Sequence, residues 1–115
     1  MPLLSIETSL KEVSDKENLL KSISKEVATL LSKPESYVMT TLKSGILMTF
    51  AGTLEPSCYI QIKNIGTLGR DETKKISGRI CALIEESMKI PSSRIYIRME
   101  DVSPHMWGWD GSTFG

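Results

Sequence analysis

Neither sign of charge is in excess in this chain: fourteen Lys+Arg balance fourteen Asp+Glu over 115 residues. A neutral surface does not gather a phosphate backbone, so nucleic acid is not an expected partner. No run approaches the ~20 apolar residues that a membrane-spanning helix needs, and the first residues lack the basic and long apolar stretches of a secretory signal. The expected location is the cytosol, with no membrane partner. Cysteine is scarce: Cys58 and Cys81 are the only two, too few and too far apart for a disulfide framework or a metal knuckle. Two small thiols in ordinary packing are the expectation. His105 is the only histidine and follows Pro104 without clustered ligands, so no metal is implied. The glycines of "IGTLG" at 65–69 are followed by neither a Lys-Ser pair nor a full dinucleotide pattern, which excludes a phosphate-binding fingerprint.

What is present is enough for one real core, with 40% apolar and 24% charged residues. Residues 3–8 alternate well enough for a strand, and Ser14 and Glu17 have the spacing of a helix capping box. Leu19, Leu20, Ile23, Val27, Leu30 and Leu31 then form one apolar stripe, which stops at Lys33-Pro34 because proline disfavours helical geometry in its predecessor. Residues 38–43 read as a strand, and "ILMTFAG" at 46–52 as a second, short one. The pattern starts again at Cys58, Ile60 and Ile62. Gly66 and Gly69 mark a turn, and Asp71 is placed to cap a helix with stripe Ile76, Ile80, Leu83, Ile84 and Met88. Beyond Pro91, residues 95–100 alternate as a last strand.

Pro34, Ser36 and Val38 return as Pro91, Ser93 and Ile95, and the same offset carries Leu3 onto Ile60. The chain is thus expected to be α+β, two βαβ repeats. Each repeat pairs its strands in parallel through a right-handed crossover, which puts both helices on one face of a four-stranded mixed sheet. The other face is left bare, carrying Met39, Lys43, Tyr59, Lys63, Tyr96 and Arg98 among others. Such a face, together with spare short strands at 46–51 and 106–109 free to extend another subunit's sheet, argues for a symmetric oligomer.

Proline directly follows the initiator methionine. Removal of Met1, usual when the next residue is small or proline, would leave Pro2 a free secondary amine. An α-amino group titrates at about 7.7–8.0, and burial against apolar walls lowers that value, so the amine would be a neutral base near pH 7. With Met1 retained, the same nitrogen is an amide and no base.

Six strings, "MPLL", "SKPESY", "MTFAGTLEP", "IGTLG", "SSRIYI" and "GWDGSTF", run in order along the whole chain. On these the sequence resembles the macrophage migration inhibitory factor (MIF) family of the tautomerase superfamily. The resemblance implies a homotrimer with a pocket at each subunit interface. It also implies cofactor-independent keto–enol tautomerisation of phenylpyruvate-like aromatic α-keto acids, with dopachrome as a further substrate. Pro2 matches the catalytic proline. Lys33 matches the pocket lysine that holds a substrate carboxylate, Ile65 the residue whose N–H donates to it, and Tyr96 a tyrosine supplied by the neighbouring subunit. Tyr37, Trp109 and Phe114 match the aromatics that wall or border the pocket. Arg98 replaces an asparagine of the animal cytokine and offers a second anion contact or an ion pair with Glu100 or Asp101. Trp107 replaces a small valine and would narrow the mouth. The cytokine's Cys-x-x-Cys is reduced here to Cys58, so no thiol–disulfide activity is implied. The alternative the resemblance carries is a MIF-like signalling protein that binds a receptor, its tautomerase pocket vestigial.

Overall fold

The computed structural model describes residues 2–115. Its main elements are β1 (Leu3–Thr8), α1 (Lys16–Leu30), β2 (Met39–Lys43), β3 (Cys58–Ile65), α2 (Arg70–Met88) and β4 (Ile95–Val102). The strands form one mixed sheet in the order β2-β1-β3-β4. Within each repeat the strands are parallel, β1 with β2 and β3 with β4, and the repeats join through antiparallel β1 and β3. The repeat extends to detail: a short 3-10 turn, Glu35–Tyr37 or Ser92–Arg94, follows an extended proline before the second strand of each unit.

Strand alternation decides which face is dry. Leu4, Ile6, Ile60, Ile62 and Ile95 point to the helices and meet Ile23, Val27, Ile76, Ile80 and Ile84 in one buried cluster. Each fully buried side chain of this size contributes about 1.5–3 kcal/mol. The intervening residues line up on the bare face in three rows across all four strands. They are Met39–Leu3–Lys63–Glu100, Thr41–Ser5–Gln61–Arg98 and Lys43–Glu7–Tyr59–Tyr96. Met39 is 62% and Tyr96 65% exposed there, so the face anticipated from the alternation is uncovered in the single chain.

Four local expectations are corrected. The Ser14–Glu17 capping box does not form: Asp15 occupies the N-cap in a left-handed conformation, and its carboxylate accepts from Asn18 Nδ2 at 2.8 Å. Nor does Asp71 cap α2. Gly69 is the N-cap, and its N–H donates to Glu72 Oε1 at 3.2 Å, with Asp71 inside the first turn. Residues 46–51 are not a strand. After Gly45 and Ile46 donate to Leu10 and Thr8 carbonyls the segment leaves the sheet, and Phe50 closes a tight turn with Thr53. Finally, the strand expected over 106–109 is shorter: Met106 belongs to a 3-10 turn (Pro104–Met106), and β5 (Gly108–Trp109) pairs with β6 (Ser112–Thr113) as a hairpin.

Candidate active site

How α1 ends determines where Lys33 stands. Ser32 takes a left-handed φ of 53°, its N–H donating to Thr29 O and that of Lys33 to Ala28 O, the paired bonds of a Schellman motif. Pro34 then prevents any return to helix. Thrown out of the helix, the Lys33 side chain reaches across to β3, where its ammonium donates to the Ile65 carbonyl at 3.1 Å. The lysine therefore serves the end of the sheet, not the last carbonyls of its own helix.

Pro2 sits at the start of β1, its side chain fully buried and its carbonyl accepting from Met39 N–H at 3.0 Å. It lines a cavity of ≈ 540 Å³, whose walls include Tyr37, Lys63, Trp107, Trp109 and Phe114. This size suits a single-ring ligand. Three of the walls hold one another in place. Tyr37 meets Trp109 and Phe114 edge-on, with centroids at 5.5 and 5.9 Å, and Trp109 stacks on Phe114 at 5.8 Å. Each such pair is worth about 0.5–1.5 kcal/mol beyond its buried area. Phe114 N–H also donates to Trp107 O at 3.2 Å, which ties the C-terminal hairpin to the turn before it.

Pro2, Tyr37, Trp107, Trp109 and Phe114 thus line one cavity, whereas Lys33 and Ile65 are not among its lining residues. The Ile65 side chain is buried core, and its carbonyl is what meets Lys33. Tyr96 and Arg98 lie elsewhere within one chain. Tyr96 leans on Phe50, with centroids 4.6 Å apart, and lines a separate hollow with Tyr59 and Glu7. Arg98 pairs with Glu100 at 3.6 Å. The sequence reading missed Lys63, which shares the cavity with Pro2. Its signal was present, since antiparallel pairing of β1 with β3 sets Lys63 opposite Leu3, but strand alternation alone does not give that register.

Burial, then the neighbouring Cys81, pushes the Cys58 thiol up to about 12, and burial raises Cys81 as well. Both stay protonated at neutral pH. No cluster of three metal-ligating side chains occurs among the described residues.

The family model for macrophage migration inhibitory factor matches residues 1–115. This chain belongs to the MIF family. A MIF homolog from Brugia malayi is 34% identical over 115 residues, the whole of both chains, and rat MIF is 30% identical over 114 residues, 99% of each. Among solved structures, the MIF homologue of Prochlorococcus marinus superposes with a TM-score of 0.95 at 48% identity over 98% of this chain and 99% of that one. The MIF of Trichinella spiralis gives 0.92 at 26% identity, over 97% and 99%. The two-repeat sheet with both helices on one face is therefore the MIF fold, and isomerase chemistry is supported at the level of the family.

Proposed function

We propose that the protein is a cofactor-independent keto–enol tautomerase of phenylpyruvate-like aromatic keto acids, with Pro2 as its base once Met1 has been removed. Met1 itself lies outside the described residues. The observation that carries the reading is the burial of Pro2 in a cavity walled by an ordered aromatic cluster. An aryl ring needs a flat apolar slot, and the same low polarity disfavours a prolinium ion and keeps the amine ready to accept a proton. The amine takes a proton from the carbon next to the ketone. The electron pair of the broken C–H bond becomes the C=C bond, the carbonyl π pair moves onto oxygen, and the prolinium returns the proton to that oxygen, giving the enol and the free amine; the ketone re-forms by the reverse path. Lys33, already at the Ile65 carbonyl, has two further N–H donors for a substrate carboxylate and for the enolate charge that develops.

A homotrimer belongs to the same proposal. The bare face leaves Met39 and Tyr96 exposed, and Tyr96 and Arg98 would reach a neighbour's Pro2 cavity only across a subunit boundary. The direct test is phenylpyruvate turnover by protein whose mass shows Met1 absent, beside Pro2→Gly. The expected loss in the variant is roughly hundredfold or more, the scale of a positioned acid–base group. Equal turnover in the two proteins would contradict the proposal.

A further inference from the structure

Among the described residues that line the Pro2 cavity, Lys63 is the one that is charged, and none carries a carboxylate. The lysine lies mid-strand in β3, half-buried, between Leu3 of β1 and Glu100 of β4 in the row that crosses the bare face. Glu100 is the nearest acid in that row, and its carboxylate is 3.6 Å from Arg98. Lys63 forms no ion pair among the described residues, whose salt bridges are Arg79–Glu26, Arg94–Glu55 and Arg98–Glu100. Within the single chain its ammonium therefore has no carboxylate partner, which leaves it able to pair with an incoming anion. Lys33, by contrast, already donates to the Ile65 carbonyl.

We propose that Lys63 is a second anion contact of this cavity and makes it select aryl carboxylates over neutral aryl compounds of the same shape. The inference builds on the reading of the cavity as an aryl keto acid site and adds a residue to it. A carboxylate drawn to Lys63 brings its ring between Tyr37, Trp107 and Trp109 on the wall, so one cation and three aromatics specify charge and shape together. Lys33 stands at the Ile65 carbonyl and is not among the residues lining the cavity, so Lys63 from β3 is the lysine that faces it.

Trp107 and Trp109 are the chain's two tryptophans and both line the cavity, so intrinsic fluorescence reads binding there without any turnover. The probes are 3-phenylpropanoate and the uncharged 3-phenylpropanol, titrated into wild type, Lys63→Met and Lys63→Arg, with circular dichroism as the check on folding. Expected are a clear preference of wild type for the acid, a loss of about tenfold in acid affinity for Lys63→Met with the alcohol changed by no more than about twofold, and recovery of most of that loss in Lys63→Arg. Retention of wild-type acid affinity by folded Lys63→Met, or no acid preference in wild type, would overturn the proposal. Wild type that prefers the acid through Lys63 yet does not tautomerise phenylpyruvate would support it while contradicting the enzymatic reading.

Discussion

At the end of the first repeat's sheet stand Pro2, Lys33 and Tyr37; the corresponding positions of the second repeat hold Tyr59, Ile90 and Arg94. Both corners follow the same strand, helix, extended proline and 3-10 turn. In the first, Lys33 crosses to a strand carbonyl and Tyr37 joins an aromatic wall, leaving a cavity open. In the second, Ile90 is fully buried in the core. Arg94 plugs the loop before β3 by donating to the carbonyls of Pro56, Glu55 and Phe50 at 2.8–3.1 Å, its guanidinium over the Phe50 ring. One backbone design thus gives a site where polar reach is left free and a structural corner where it is consumed. Function here follows from side chains that differ between repeats and not from the βαβ unit they share.

Forcing the first corner's chemistry into the second breaks the contrast most severely. Ile90→Lys puts an ammonium into a fully buried apolar position, and a loss of roughly 4 kcal/mol or more, read by urea denaturation, is expected. Arg94→Ala comes next. It leaves three loop carbonyls without their charged donor and should cost about 3 kcal/mol, with the loop over 50–56 showing faster amide exchange than β3. Its ion pair with Glu55 at 3.9 Å contributes little, because Glu55 is exposed.

The smallest effect belongs to the thiol beside the second corner. The Cys58 thiol stands at about 12 in the folded chain against 9.0 when free, so above pH 9 the unfolded state gives up a proton that the folded state keeps. Stability from this group is complete below pH 9 and is lost as pH rises towards 12. Between about pH 8 and 10.5 the unfolding free energy should fall by roughly 1–2 kcal/mol on this account, and Cys58→Ala should lack that part of the slope.

Much of this contrast can be read from the residues before any coordinates. Period-two and period-3.6 patterns locate β1 to β4 and both helices because one face of each must be dry, and the recurring Pro-x-Ser spacing exposes the duplication. Helix starts are less legible. Ser14 and Glu17 have the right spacing, yet the local Asp15–Asn18 bond wins. At 46–51 strand-forming residues lose to competition for acceptors, since the Phe50 carbonyl is taken by Thr53 and Arg94. Of the site, Pro2 and its aromatic walls were visible as motif residues. Lys63 was not, because its approach to Pro2 depends on which strand β3 pairs with and in what register.

The most direct measurement compares one protein in two states, with and without Met1, each verified by mass and each assembled, in phenylpyruvate tautomerisation. The side chains are then identical, and only the nitrogen of Pro2 changes from amide to amine. The expected result is turnover confined to the protein lacking Met1; equal turnover in both would contradict Pro2 as the base.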